Sequence, residues 1–436
     1  MDPTTSEPAP DAALVRVVGV VGAGTMGAGI AQLALEGGAR VLSHDPDPAA
    51  VERARDRIAD GIARRKRRRS PANAGLAEQT VAEAIGRLAA SADLEELARA
   101  ADVVIEAALE DLGLKRRIFA GLDAAAQPGT ILATNTSALS VAAIAAATGH
   151  PQRVVGLHFF NPAPVMALVE VVAPSAADPA VVRRATELVA GWGKTAVHSA
   201  DSPGFIVNRI NRPFTLEALA LLEAGLGSVE TIDAAVRAAG YPMGPFELMD
   251  LVGIDVNLAA ARGIYQAFRY EPRFRPSPIL ERLVEAGRLG RKTREGFYWY
   301  GEDGRSLGQA GAFASDPALA ADPAGDIRAL PAGGAGVDSL ESDPVEPDPA
   351  VSDPVVERIV LAIVNEAYRA IGDGVASAAD IDLALRLGAG HPLGPFERAA
   401  ALGGPAAVVA RLERWRSAGP RFVPAPTLLE AARAVR

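Results

Sequence analysis

The chain has 436 residues, 49% of them hydrophobic, and a formal net charge of −9 from 53 acidic and 44 basic side chains. That length suggests roughly two to four domains with sizeable cores. The acidic balance argues against a nucleic-acid binder, and the absence of cysteine excludes a disulfide framework, thiolate metal sites and a cysteine nucleophile.

In chain order, residues 1–14 are rich in Pro, Ala and Asp and read as a disordered tail without a basic or apolar signal region. VRVVGVVGAG then has the continuous apolar character of a buried parallel strand running into glycines. TMGAGIAQLALEGG reads as a helix stopped at Gly37-Gly38, and ARVLSHD as a second strand. Arg-rich helices fill about 48–100. Strands recur at ADVVIEA, GTILATN and RVVGLHFF, and again at ALVEVV and TAVHS, with helices between several of them. This alternation predicts an α/β fold over 15–200, a Rossmann-type, doubly wound and mostly parallel sheet.

From Asp201 the texture changes. SPGFIVNRINRPFTLEALALLEAG reads as one long helical stretch, and no strand signal follows before about 300, so 201–300 is expected to be all-α. Residues 301–353, rich in Gly, Ala, Asp and Pro, have linker composition. Beyond them the helical region repeats: Ile232-Asp233 and GPFE at 244–247 recur as Ile381-Asp382 and GPFE at 394–397. Residues 354–436 are therefore a second all-α copy, expected to be structural. No apolar run is long enough to cross a bilayer, and a soluble cytoplasmic protein with no membrane, nucleic-acid or metal partner is expected.

Gly22-Ala23-Gly24-Thr25-Met26-Gly27 is a GxGxxG turn set between a strand and a helix, with Asp45 ending the next strand. The three glycines permit the tight turn, the approach of a pyrophosphate to the helix N-terminus, and close helix–strand packing. Asp45 suits an adenosine ribose and repels a 2′-phosphate, and Pro46 rather than an arginine follows it. NAD is favoured over NADP.

HFFNPAPVMALVEVV places His158 at the end of an apolar strand and Glu170 inside the next one. A lone histidine at a strand end is more often structural. Three features favour a pair: reactive groups gather at the carboxyl ends of strands in such sheets, an unpaired carboxylate among Leu168, Val169, Val171 and Val172 is costly, and the intervening turn can set the strands side by side. A His held by a buried carboxylate suits general acid/base work near neutral pH.

These segments, with VVIEAALEDLGLKRRIF, ATNTSALS, DSPGFIVNRI, GYPMGPFELMDLVG and GRKTREGFYWY, occur in the order found in L-3-hydroxyacyl-CoA dehydrogenases. The chain resembles that family over about 15–300, and the repeat extends the likeness to the longer bacterial forms. The resemblance implies NAD-dependent, reversible oxidation of an L-3-hydroxyacyl-CoA, with His158 as general base and Glu170 orienting it. It implies that Ser137 and Asn208 hydrogen-bond the reacting oxygens. Glu110, Lys115 and Asn161 would contact the nicotinamide half of the cofactor, and Lys292 would reach it from the helical domain.

Other readings stay open. Ser137 has a bland alternative as a helix N-cap, and Asn208 as an interior helix polar group. Arg64, Arg65 and Lys66 open a basic run that is either a solvated helix face or a capture site for the CoA phosphates. The same chemistry on a carrier-protein thioester or a free hydroxy or sugar acid is an alternative, as is a catalytically silent NAD-binding scaffold. In shorter relatives two helical domains pair across a dimer. The second copy is expected to replace part of that contact within the chain, with a homodimer still possible.

Overall fold

The Val-rich opening run forms β1 (Val17–Val21), with four of its five residues buried. The computed structural model describes residues 15–69, 74–310 and 353–434, so the 1–14 tail and most of the 301–353 linker lie outside the described residues. The chain divides into two compact units, Met1–Ser202 and Pro203–Arg436.

In the first unit, α1 (Thr25–Glu36), β2 (Arg40–His44), α2 (Pro48–Arg69), α3 (Ala74–Gly86), β3 (Leu88–Ala90) and α4 (Leu94–Ala100) follow β1. Then come β4 (Val103–Glu106), α5 (Leu112–Ala125), β5 (Ile131–Thr134), α6 (Val141–Ala145), β6 (Val154–Phe159), β7 (Leu168–Ala173), α7 (Pro179–Gly191) and β8 (Thr195–Ala200). The eight strands form one sheet in the order β3-β2-β1-β4-β5-β6-β7-β8. Every pairing is parallel except β6 with β7. The strand order reverses beside β1, whose neighbours are β2 and β4. A crevice at the carboxyl end of the strands is expected at such a reversal. The short strand β3 falls within a segment that the sequence reads as helix throughout. Three residues at a sheet edge are too few to carry a periodic signal.

The second unit contains α8 (Val207–Ile210), α9 (Arg212–Glu223), α10 (Val229–Ala238), α11 (Pro245–Val252), α12 (Ile254–Ala267), α13 (Pro278–Glu285), β9 (Tyr298–Tyr300) and β10 (Ser306–Gln309). It continues with α14 (Pro354–Gly372), α15 (Ala378–Ala389), α16 (Pro395–Ala401), α17 (Pro405–Arg414) and α18 (Pro426–Ala434). The expected single helix after Asp201 is broken at Asn211, because Pro213 in the first turn of α9 has no N–H to donate backwards. The matching stretch of the second copy lacks that proline and runs unbroken as α14.

The region before 300 is not strand-free, and the linker does not begin at 301. β9 and β10 form an antiparallel hairpin over 298–309. Its anchor is remote in sequence. The buried Asp250 carboxylate accepts from Phe297 N, Tyr298 N and the Tyr300 hydroxyl, and Asp233 accepts from the Tyr298 hydroxyl. Asp233 also caps α11 through Phe246 N and Glu247 N, and Asp382 repeats this at Phe396 N and Glu397 N. The recurring Ile-Asp and GPFE motifs are thus the two halves of one capping arrangement. A Cβ on Gly244 would lie 2.2 Å from the Asp233 carboxyl group, so the glycine is required there.

Candidate active site

The glycine-rich turn leaves β1 for α1, and each glycine has its own constraint. Gly22 sits at φ +97°, and a Cβ there would lie 2.6 Å from Ala107 O. A Cβ on Gly27 would lie 1.8 Å from Gly22 O, so only glycine lets α1 press against the turn. Gly24, by contrast, caps a 12-residue helix and would meet nothing within 4 Å. That open cradle, bordered by exposed Thr25 and half-buried Met26, fits a pyrophosphate over unpaired helix N–H groups. Asp45 accepts from Ala23 N at 2.8 Å and from Asp47 N at 2.9 Å, so its carboxylate also fastens the turn.

Next to β1, the end of β4 carries Glu106, which is fully buried. It accepts from Lys115 Nζ at 2.7 Å, Ala108 N at 2.6 Å and Thr134 Oγ1 at 2.8 Å. Lys115 is 1% exposed and lies 3.4 Å from the second carboxylate, Glu110. Glu110 accepts from Thr136 Oγ1 at 2.5 Å, Ser137 N at 3.0 Å and Ala138 N at 3.2 Å. A carboxylate–ammonium–carboxylate chain thus ties the end of β4 to the Ser137 turn, and the Lys115 ammonium is sunk beneath it. The N-cap of α6 is Ser140, not Ser137. Sequence reasoning passed over Glu106, although a carboxylate closing the apolar run ADVVIE is the same signal that singled out Glu170.

β6 and β7 are antiparallel, with His158 directly opposite Glu170 in the register. Opposed residues share one face of a sheet, which brings the two side chains together. His158 Nδ1 lies 2.5 Å from Glu170 Oε2. Glu170 is fully buried and His158 nearly so, at 6% exposure. The His158 ring leans on Phe160, with centroids 4.5 Å apart. Asn135, just past β5, accepts from Phe159 N at 2.9 Å and pins the end of β6. Asn161 follows on the exposed loop toward β7.

The remaining candidates lie elsewhere. Arg64 and Lys66 are exposed on α2, while Arg65 pairs with Glu36 at 2.7 Å. In the helical unit, Asn208 is half-buried on the short helix α8. Lys292 holds Asp255 at 2.5 and 2.6 Å. In the second copy the position of Asn208 is taken by Glu357, which is held by Arg411, Arg414 and Trp415. Among the described residues no three acidic or histidine side chains group to hold a metal ion, and no helix is long and apolar enough to cross a membrane.

A glycine turn at the strand-order reversal, an acidic residue ending β2 and a His–Glu pair at the end of β6 define a nicotinamide-dependent oxidoreductase class. Comparison with known proteins narrows this. The family described as 3-hydroxyacyl-CoA dehydrogenase, NAD binding domain, matches residues 17–202, and its C-terminal domain family matches twice, at 204–300 and 355–432. The chain belongs to the 3-hydroxyacyl-CoA dehydrogenase family and is an NAD-dependent oxidoreductase acting on CH–OH groups. It is 39% identical over 439 residues to 3-hydroxyadipyl-CoA dehydrogenase of Escherichia coli K12, covering 89% of this chain and 91% of that one. It is 42% identical to 3-hydroxybutyryl-CoA dehydrogenase of Mycobacterium tuberculosis H37Rv, over 66% of this chain and 99% of that one. A crystal structure of 3-hydroxybutyryl-CoA dehydrogenase from Escherichia coli K12 superposes with a TM-score of 0.79 at 35% identity, covering 96% and 98% of the two chains.

Proposed function

We propose that this protein interconverts L-3-hydroxyacyl-CoA and 3-oxoacyl-CoA, with His158 and Glu170 as its acid/base pair. The observation that carries this reading is the buried 2.5 Å contact between His158 Nδ1 and Glu170 Oε2. With Nδ1 committed to the carboxylate, the tautomer is fixed and Nε2 is the nitrogen that exchanges a proton with the substrate oxygen. Glu170 also stabilises the imidazolium that forms when His158 takes the alcohol proton. Bound NAD supplies the hydride acceptor. The turn Gly22–Gly27 and Asp45 hold it, and Asn161 and Glu110 border its nicotinamide end. Lys115 acts through Glu110, a role supported by its burial. Ser137 hydrogen-bonds the reacting oxygen. Asn208 and Lys292 are assigned to substrate and cofactor from the helical unit, and Arg64, Arg65 and Lys66 to the CoA phosphates.

Relatives of similar length are named for a four-carbon and for a dicarboxylic acyl group. That supports a short or ω-carboxylated acyl chain on CoA. The second helical copy is assigned a structural role, since Glu357 is engaged by three side chains where the first copy carries Asn208. By this reading it takes, within the chain, the place of the between-subunit contact that the family resemblance implies for shorter members.

The test is NADH oxidation with acetoacetyl-CoA beside longer and dicarboxylic 3-oxoacyl-CoAs, the matching carrier-protein thioesters and the free acids. Turnover confined to CoA thioesters is expected. Faster turnover of carrier-protein or free-acid substrates would sink the CoA assignment, and no turnover of any of them would sink the activity.

A further inference from the structure

The loop from His158 to Glu170 closes as one tight turn, in which Pro162 O accepts from Val165 N at 2.9 Å and Met166 N at 3.0 Å. The carbonyls of Ala163, Pro164 and Met166 then converge on a single group, the ammonium of Lys194, at 2.7, 3.1 and 2.8 Å. Lys194 stands just before β8 and is 7% exposed. α1 also presses close on this loop, since a Cβ on Gly29 would lie 3.1 Å from Pro164 Cδ and 3.2 Å from Ala163 Cβ. The loop is therefore held both by packing against the dinucleotide helix and by one buried cation.

We propose that Lys194 is a positioning residue for the reaction, fixing through these three carbonyls the loop that places Asn161 beside the end of β6. The chemistry of the side chain fits the task. Three carbonyls aimed at one point match the three N–H donors of a tetrahedral ammonium, whereas the planar guanidinium fork spreads its donors along two edges. The chain keeps only 4 lysines among its 44 basic residues, so a position that retains lysine needs a geometric reason, and here there is one. Burial and the neighbouring Arg65 lower the Lys194 ammonium to about 8, with Glu36 opposing them. The cation is kept in a desolvated place for the bonds it makes.

This inference rests on the assignment of Asn161 and His158 to the reaction. The experiment compares the full-length enzyme with Lys194→Met, which keeps the aliphatic stem, and Lys194→Arg, which keeps the charge. NADH-dependent reduction of acetoacetyl-CoA is measured for each, alone and combined with Asn161→Ala. Both single variants should lose on the order of 10- to 100-fold in kcat, as expected when a reacting geometry is displaced by about an ångström. The KM for NADH should rise more than the KM for acetoacetyl-CoA. In the Asn161→Ala background the further loss should shrink to a few-fold, because the loop's main cargo is already gone.

Wild-type kcat in Lys194→Arg, or losses fully additive with Asn161→Ala, would overturn the proposal. Should Lys194→Met fail to fold, Lys194→Arg alone decides it through the same additivity. Asn161→Ala and His158→Ala measured alone separate the two layers. If both retain wild-type turnover, the site reading fails. If they lose turnover while the Lys194 variants do not, only the positioning role fails.

Discussion

Arg209 donates to Glu366 at 2.8 Å, and the same relationship recurs with the repeats exchanged, Arg358 donating to Glu217. Arg209 aligns with Arg358 in the repeat, and Glu217 with Glu366. The next pair obeys the same rule: Arg273 reaches Glu366 at 2.8 Å and its counterpart Arg421 reaches Glu217 at 2.7 Å. Tyr241 and His391, equivalent residues before the two GPFE turns, meet edge to face at 5.1 Å. Reciprocal contacts of this kind are the mark of an isologous interface, here formed between two halves of one helical unit. Glu366→Ala leaves Arg209, which is fully buried, and Arg273 without their shared carboxylate. Arg209 keeps Asp373 at 2.6 Å and Arg273 keeps Glu271 at 3.2 Å, so a loss of about 2–3 kcal/mol is expected, below that for a buried charge left with no partner. Chemical denaturation measures it, and a loss below about 1 kcal/mol would mean that the network is not holding the repeats together.

Truncation after residue 345 removes α14 and the four helices that follow it, leaving Glu217, Arg358's partner, uncovered among the remaining helices. The shortened chain should precipitate or dimerise through that face. Sedimentation of the purified fragment checks this, and an active, well-folded monomer would count against an interface role for the second copy.

What the sequence made legible follows from the range of the interactions. The glycine turn is readable because its constraints are local: a positive φ at Gly22 and a steric stop at Gly27. The pairing of His158 with Glu170 is readable because one short connection joins two apolar strands, and an antiparallel register then sets them opposite each other. The hairpin at 298–309 is not readable in the same way. Its strand is three residues long and depends on Asp250, far back in the chain. The break in the first-copy helix is a partial case, since Pro213 announces it only if the helix is already assumed. Lys194 escaped because its partners lie about thirty residues away and are carbonyls, which no side-chain pattern encodes.

Glu106→Gln keeps the shape of the buried acceptor and removes its charge. Lys115 then keeps the Ala108 carbonyl at 3.5 Å and, as its remaining carboxylate, Glu110, which is 40% exposed and 3.4 Å away. A destabilisation of about 2–3 kcal/mol is expected, because the buried ammonium loses its nearer carboxylate and keeps only the more distant one. The double variant with Lys115→Met should recover much of it, because no charge is then left buried. Denaturant titration of the three proteins checks the cycle. Equal destabilisation of the single and double variants would show that the charge pair is not the cause.

His391 gives stability a dependence on acidity. Burial, with Arg398 adding to it, pulls the imidazole down to about 3, while Nε2 meets Asn211 Oδ1 at 2.8 Å. In the unfolded chain the group titrates near its ordinary value of about 6.5. The unfolded state therefore binds the proton first, and native stability falls as pH drops from about 6.5 toward 3. The total is on the order of 5 kcal/mol. Asp233, pushed up to about 7 by burial, acts in the opposite direction over part of this window. The contribution is therefore read as the difference between wild type and His391→Gln, which keeps a donor for Asn211 and cannot titrate. A difference that stays flat between pH 6.5 and 4 would refute the assignment.

The acid/base assignment makes the sharpest prediction. His158→Ala removes the only imidazole opposite Glu170 and should lower kcat for acetoacetyl-CoA reduction by roughly 10²–10⁴-fold, the usual worth of a positioned proton carrier. NADH affinity should stay within a few-fold, because the glycine turn and Asp45 are on other strands. Glu170→Gln is the finer test. Its amide oxygen can still accept from Nδ1, so the ring keeps its orientation, but the charge that stabilises the imidazolium is gone. Its kcat should fall less than that of His158→Ala, by roughly 10- to 100-fold, and a double variant should be no slower than His158→Ala alone, since residues acting as one unit are not additive. Stopped-flow turnover and NADH fluorescence titration separate the chemical step from binding. A His158→Ala enzyme within tenfold of wild type, or a Glu170→Gln loss that persists in full without His158, would require a different proton carrier.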